Sequence, residues 1–174
     1  MRGNRKPTVF EGQPDKLAKI IKSASNLGVQ LIVIDTPSKN DGTTLAAIRA
    51  ADRIICPVMV DLFSLAALQD TAKLIEVAGK LPATIGVLND LDETGVVANI
   101  GEAEAVLKAI GMRIAPVQLY HRPAYTAAIR QGLSVTELGG NQRAAADEIR
   151  ELWTFLDAPP PRKSKPKARK GASK

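Results

Sequence analysis

The sequence alternates between short β-branched runs and longer segments with apolar residues at helical spacing. Continuous apolar runs at residues 31–35, 53–58 and 83–89 have the length and composition of strands buried on both faces. A segment with helical periodicity follows each of them. Because strands separated by helices of this length pair in parallel, the pattern predicts an α/β fold with a doubly wound, mostly parallel sheet flanked by helices.

The remaining segments extend this alternation along the chain. A fourth strand is predicted over residues 113–119, and residues 8–10 are compatible with a short strand. Helices are predicted at residues 14–27, 43–51, 64–79 (with Ser64 as N-cap), 101–110, 123–131 and 141–156. In parallel sheets, ligands bind beyond the carboxyl ends of the strands. The residues predicted to share that rim are Asp35, the Asp61 loop, Asn89 and the loop after Leu119.

Charge separates the chain into a body and a tail. The formal net charge is +6, and residues 162–174 hold seven basic and no acidic side chains, which leaves −1 for the rest. From residue 158 onward the chain is rich in Pro, Lys and Arg and has no large apolar side chain. We therefore expect one α/β domain at residues 1–157 and a disordered basic tail at residues 158–174.

Two features bear on where the protein works. Cys56 is the only cysteine, and its place in the run at residues 53–58 favours a buried, inert thiol over a reactive one. The first ten residues hold no apolar run of signal-peptide length, and no stretch approaches the roughly 18 apolar residues of a membrane span. A cytoplasmic location without membrane attachment is the expectation.

A set of short motifs occurs in order along the chain. They are Leu-Ile-Val-Ile-Asp-Thr-Pro at 31–37, Ala-Ala-Asp-Arg-Ile-Ile-Cys-Pro-Val at 50–58, Phe-Ser-Leu-Ala-Ala-Leu at 63–68, Val-Leu-Asn at 87–89, the stretch 122–132, and Val-Thr-Glu-Leu at 135–138. In this order and spacing, the set resembles the ParA/MinD family of partition ATPases, which are P-loop NTPases of the SIMIBI type. The resemblance covers about residues 7–157 and corresponds to the carboxyl-terminal two thirds of the family.

The resemblance implies a nucleotide site with ATP and Mg²⁺ as cofactors. Asp35 matches the aspartate that supports magnesium at a strand end, commonly through water, and Asn89 matches an asparagine that reads adenine. Both residues also have a structural interpretation, since Asp at a strand end caps helices or anchors loops and Asn there caps turns. Both interpretations stay open for each residue.

Association with DNA is indicated for two regions. Cations of the tail can release counterions from phosphates without reading bases, and a solubilising tail is the alternative. These tail residues are Lys163, Lys165, Lys167, Arg169 and Lys170. The resemblance adds Arg122, Arg130 and Arg143, which lie where ParA-type proteins carry nonspecific DNA contacts. It also implies protein partners, namely a full-length ParA-like chain or a ParB-like adaptor.

The sequence departs from the family at the phosphate-binding loop. It contains no G-x-x-x-x-G-K-[ST] run, whose backbone amides and lysine hold the phosphates. The family's aspartate that positions the attacking water belongs to the same absent stretch. The prediction is therefore an N-terminally truncated P-loop NTPase-like domain without assigned catalytic residues. Whether the chain is an enzyme is left undecided, and hydrolysis by the chain alone is not expected.

Three functions are compatible with these features. The first is a ParA-like protein of plasmid or chromosome partition that associates with nonspecific DNA and a partner. The second is a noncatalytic module that dimerises with a full-length relative or binds DNA, and that regulates partition. The third is the product of a truncated gene.

Several conspicuous side chains receive structural assignments. His121 is predicted to lie in a loop beside Arg122. Trp153 and Phe155 fall on the apolar stripe of the last helix, so they are expected to pack in the core. Three acidic residues follow the third strand-like run. Their spacing does not match that of a calcium-binding loop, and they are predicted to be solvated. These acids are Asp90, Asp92 and Glu93.

Overall fold

The computed structural model describes residues 7–37, 41–93, 98–140 and 142–158, with residues 98 and 99 described by their backbone alone. Within these ranges the strands are β1 (Ile54–Val58), β2 (Thr84–Leu88) and β3 (Arg113–Ile114). The α-helices are α1 (Leu17–Asn26), α2 (Gly42–Ala50), α3 (Leu62–Val77), α4 (Ala98–Ala109), α5 (Pro123–Arg130) and α6 (Arg143–Asp157). Short 3₁₀ turns at Pro14–Lys16 and Leu81–Ala83 precede α1 and β2. The predicted tail lies outside the described residues from position 159 onward.

The three strands form one parallel sheet in the order β1-β2-β3. The register places Ile54 opposite Thr84 and Gly86 opposite Ile114. The α/β class and the parallel sheet predicted from the sequence are thereby confirmed. β3 is shorter than the predicted 113–119, because its register with β2 slips: Ala115 N donates to Gly86 O, and the next bond, from Leu119 N to Leu88 O, spans four residues on one segment and two on the other. Beyond it the chain still follows β2, since Leu119 N donates to Leu88 O at 2.9 Å.

Helices cover both faces of the sheet. On one face, Cys56, Val58 and Leu88 pack with side chains of α3 and α4 such as Ile75 and Leu107. On the other face, side chains of α6 pack against a second buried cluster. Its buried members are Ile85, Val87, Ala115 and Val117, and its α6 members are Leu152, Phe155 and Leu156. This two-sided packing is the doubly wound arrangement, and it leaves Cys56 buried with the pKa of its thiol raised to about 11 by desolvation.

The predicted strand at residues 31–35 is wrong. The side chains of Leu31 and Val33 are 58% and 82% exposed, and residues 30–37 form no backbone hydrogen bond with other described residues. A strand buried on both faces needs hydrogen-bonding neighbours as well as apolar side chains, and this run has none in the described sheet. Residues 8–10 likewise form no strand, and Val9 and Phe10 are exposed.

The start of α3 also differs from the prediction. Asp61, rather than Ser64, is the N-cap, with extended backbone at φ −97° and ψ 155°. Its Oδ1 accepts hydrogen bonds from the amides of Phe63 and Ser64 at 3.0 and 2.9 Å, and its Oδ2 accepts one from Ser64 Oγ at 2.5 Å. These bonds stabilise the ionised carboxylate, so the hydroxyl and then the amide of Ser64 lower the pKa of Asp61.

The Asp61 cap gives a pH-dependent contribution to stability. Asp61→Asn keeps an acceptor oxygen but cannot ionise, so we expect it to melt below the wild type at neutral pH. Because the pKa of Asp61 is lower in the folded than in the unfolded state, the ionic contribution is present above the unfolded pKa and is lost as pH falls through the folded pKa. Melting curves followed by circular dichroism from neutral pH to about pH 3 should show the two proteins converging. A constant difference would contradict this assignment.

Candidate functional site

Two loops beyond the carboxyl end of β2 are joined into one structure. The loop at residues 89–93 and the loop at residues 119–123 pair through a parallel bridge between Leu91 and Tyr120. Leu91 N donates to Leu119 O at 3.1 Å, and His121 N donates to Leu91 O at 2.8 Å. We call these two loops the rim. Ligands of parallel α/β sheets bind at this end of the strands, so the rim is the candidate ligand-binding region of this fold.

Arg122 connects the rim to the last helix. Its Nε and Nη2 donate to Oε1 of Glu148, on α6, at 2.8 and 2.6 Å. Its Nη1 lies 2.5 Å from Oε1 of Glu93 in the other rim loop. The side chains of Arg122 and Glu148 are only 19% and 12% exposed, so water screens this pair less than a surface pair. The hydrogen bond with Glu148 is the main cause of the raised pKa of Arg122.

Glu148 also binds two tyrosines through its second oxygen. Oε2 accepts from the hydroxyl of Tyr125, on α5, at 3.3 Å and from the backbone amide of Tyr120 at 3.4 Å. Burial raises the pKa of Tyr125 to about 12, and the nearby charge of Glu148 contributes to that rise. The guanidinium of Arg122 lies 5.5 Å from the ring centre of Tyr120. One carboxylate therefore links α5, α6 and the rim.

His121 is a loop residue beside Arg122, as predicted, but its partner is one that the sequence did not indicate. Its Nδ1 lies 2.6 Å from Oδ1 of Asp90, and both side chains are well exposed. Asp90 has φ +60°, a left-handed conformation that Asp adopts more readily than most residues. The prediction of solvated loop acids thus missed the two contacts of Asp90 and Glu93 that hold the rim loops together.

The rim borders a small pocket of about 130 Å³. Its walls are Glu93, His121 and Arg122 from the rim and Gln142 and Ala145 from the start of α6. Sites for nucleotide-sized molecules commonly occupy roughly 300–1,000 Å³. A larger groove of about 330 Å³ lies at the opposite end of the sheet, between α3 and the end of α4. The pocket at the rim is therefore too small to enclose a whole nucleotide.

The two residues matched to the nucleotide site are placed differently. Asn89 lies on the rim at the end of β2, partly buried, with its backbone N–H donated to Val58 O at 2.9 Å. Asp35 is exposed and lies outside the sheet, so it is not held at a strand end. No group of three or more His, Cys, Asp or Glu side chains within the described ranges is arranged to hold a metal ion. Of the two residues matched to the nucleotide site, the structure thus brings Asn89, but not Asp35, to the rim.

The arginines matched to DNA contacts also divide into two kinds. Arg130 ends α5 and Arg143 begins α6, and both are exposed. Arg122 is instead paired with two carboxylates, which neutralise its charge. The tail cations Lys163, Lys165, Lys167, Arg169 and Lys170 lie outside the described residues.

The fold is an α/β fold consistent with a P-loop NTPase-like domain. No protein-family model matches the chain. The chain is 28% identical over 148 residues to "Maintenance of carboxysome distribution protein A" of Halothiobacillus neapolitanus (strain ATCC 23641 / c2), covering 84% of this chain and 68% of that relative. This similarity supports a ParA-like relationship. In the parts of the chain that the structure describes, no helix is long and apolar enough to cross a membrane.

Proposed function

We propose that this chain is a ParA-like positioning protein that associates with DNA without sequence preference and with a protein partner. The observation that carries the proposal is the similarity, over 84% of the chain, to a relative named for maintaining the distribution of carboxysomes. The ordered motifs along the chain support the same class. The activity we propose is partition in the cytoplasm, with a plasmid or a chromosome as the cargo. The name of the relative suggests an alternative cargo, a protein organelle.

The electrostatic part of the proposal assigns DNA contact to exposed cations. Arg130 and Arg143 are exposed on α5 and α6, and the tail adds seven cations without an acidic neighbour. Phosphates attract such charges through counterion release, which needs no base contact. Arg122 is excluded from this set, because Glu148 and Glu93 already pair with its guanidinium.

ATP hydrolysis by this chain alone is not part of the proposal. The sequence lacks the glycine loop with its lysine, and Asp35 lies outside the sheet. The proposed partner is a full-length ParA-like chain or a ParB-like adaptor. Such a partner would bring the nucleotide chemistry or the cargo contact that these residues do not provide.

Binding to DNA can be tested by fluorescence anisotropy with two short duplexes of unrelated sequence. We expect equal affinity for both duplexes, a steep loss with salt and no effect of ATP with Mg²⁺. In a plot of log K against log salt, the slope is negative. Replacing Lys163, Lys165, Lys167, Arg169 and Lys170 by Ala should make this slope shallower by up to about 4. This reduction is expected because fewer counterions are released.

The matched control removes five exposed lysines elsewhere, namely Lys16, Lys19, Lys22, Lys73 and Lys108. Its net charge equals that of the tail variant, and its salt slope should stay close to the wild-type value. Equal losses in both variants would show a general charge effect instead of a tail contact. Absence of binding at low salt would overturn the proposed DNA association.

A further inference from the structure

Three cations lie together at the amino end of the described sheet. Arg53 precedes β1, Lys80 precedes the 3₁₀ turn that leads into β2, and Arg113 begins β3. Neighbouring strands are about 4.8 Å apart, so the starts of the three strands lie within about 10 Å of one another. Lys80 Nζ donates to Ala51 O at 2.7 Å, which holds it beside the segment that leads into Arg53. We call Arg53, Lys80 and Arg113 the amino-end cations.

The amino-end cations have neutral partners. Arg53 Nη2 donates to Ala158 O at 2.8 Å, and Lys80 likewise donates to a carbonyl. The guanidinium of Arg113 lies 5.2 Å from the ring centre of Phe155. Several other described cations are instead paired with carboxylates, namely Lys73, Lys108, Arg122 and Arg150. Because a carboxylate offsets the charge that attracts a phosphate, the amino-end cations are better suited to bind a polyanion.

The same contacts place the start of the basic tail. Ala158 is the C-cap of α6, and the tail continues directly from it. Arg53 contacts this residue, and Arg113 contacts Phe155 in the same last turn of the helix. The tail therefore leaves the domain beside the amino-end cations. Its seven cations begin at residue 162, a few positions further along the chain.

We propose that the amino-end cations and the tail bind DNA as one surface, at the end of the sheet opposite the rim. The inference rests on the proposed association with DNA and adds the place of the duplex on the domain. Asp52 and Asp157 are exposed beside this surface and offset part of its charge. The tail supplies the surplus. Because the tail starts at Ala158, its cations reach phosphates next to those that the amino-end cations contact.

This surface is separate from the exposed arginine at the other end of α6. Arg143 begins the helix, roughly 22 Å from Ala158 at 1.5 Å per residue. Between them α6 exposes Asp147, Arg150 and Glu151, whose summed charge is negative. The two ends of the helix are therefore two contact regions and not one continuous basic stripe.

A structural role is the alternative for the amino-end cations. Cations near the C-terminus of a helix stabilise the carbonyls of its last turn, and Arg53 does so for α6. Lys80 donates to Ala51 instead, so it is not part of that cap. Loss of a structural contact changes the melting temperature, whereas loss of a phosphate contact changes the salt dependence of DNA binding. The two roles are thus separated by measurement.

The first test is the salt dependence of DNA binding by the full chain, followed by fluorescence anisotropy with a short duplex. Gln replaces each of the amino-end cations, because it keeps hydrogen-bond donors and removes the charge. The negative slope of log K against log salt should become shallower by about 2–3. The matched control replaces three exposed lysines by Gln and should keep the wild-type slope. These lysines are Lys16, Lys19 and Lys22.

The second test locates the duplex on the domain. Cys56 is buried, so a cysteine introduced on the surface can be labelled selectively with an environment-sensitive dye. In Ala158→Cys the dye lies beside the amino-end cations, and DNA should shift its emission. Ala66→Cys is the matched control, since Ala66 is exposed on α3, which packs on the other face of the sheet from α6. Its dye should not respond to DNA.

The outcomes separate this inference from the proposed function. If the wild type binds DNA through the tail but the amino-end variant keeps the wild-type slope, this inference alone is overturned. Equal slope changes in the control variant, or equal responses of the two dyes, also overturn it. Absence of wild-type binding at low salt overturns the DNA association itself. If anionic lipid vesicles shift the dye at position 158 and DNA does not, the surface binds a membrane and the inference is wrong.

Folding of the variants is checked by circular dichroism. If the triple variant does not fold, Arg53→Gln decides by itself, because Arg53 is exposed and its substitution tests one phosphate contact. Its slope should become shallower by about 0.9. An unchanged slope in this variant would overturn the inference.

Discussion

Gly86→Ala is expected to lower the free energy of unfolding by about 2–3 kcal/mol. A Cβ at position 86 would lie 2.6 Å from Cδ2 of Leu107, closer than two carbon atoms can approach. Leu107 is completely buried in the cluster that joins α4 to the sheet, so it has no free space into which to move. Gly86 is thus required by the closeness of α4 to β2.

The same contact predicts that two destabilising substitutions partly compensate. Leu107→Ala alone should cost about 3–4 kcal/mol, because it leaves a cavity beneath the sheet. In the double variant the methyl group introduced by Gly86→Ala occupies part of that cavity and no longer clashes. We expect the double variant to cost about the same as Leu107→Ala alone, which corresponds to a coupling of about 2–3 kcal/mol, the full cost of Gly86→Ala. Urea unfolding followed by circular dichroism measures all four proteins, and additive losses would show that the two sites do not touch.

Glu148→Ala should have the second large effect, a loss of about 2–3 kcal/mol in the free energy of unfolding. The substitution leaves Arg122 with Glu93 as its remaining partner and removes the acceptor for the Tyr125 hydroxyl. Removing one member of a fully buried pair costs about 3–5 kcal/mol, and the partial exposure of this pair and the surviving Glu93 contact reduce that figure. Hydrogen exchange at residues 119–123 should also become faster, since Glu148 holds that loop to α6.

The matched control for Glu148 is Glu104→Ala. Glu104 pairs with Lys108 one turn further along α4, at 3.2 Å, and the side chains of this pair are 35% and 68% exposed, more than those of Glu148 and Arg122. Exposed pairs of this spacing contribute about 0.3–0.5 kcal/mol. Similar losses in the two variants would mean that the Arg122–Glu148 pair is no stronger than an ordinary surface pair.

Local signals in the sequence located most of the elements that the structure describes. The runs around β1 and β2 and the helical spacing of α1 to α6 appear where they were predicted, with ends shifted by up to about three residues. The α3 cap shows how such ends shift, since Asp61 and Ser64 are both good N-cap residues and the extended backbone of Asp61 decides between them. Trp153 shows a related limit of helical periodicity. Its place on the apolar stripe of the last helix predicted core packing, but the side chain is half exposed.

The sequence by itself determined the α/β class, the positions of the helices and the burial of Cys56, because these follow from periodicity and from the apolar character of neighbouring residues. Only the tertiary structure decided that residues 31–35 form no strand, since an apolar run needs a partner strand that its own composition cannot supply. It also decided the pairing of Arg122 with Glu148, which are 26 positions apart. Contacts at that separation depend on how helices and loops pack together, and no local pattern in the sequence records them.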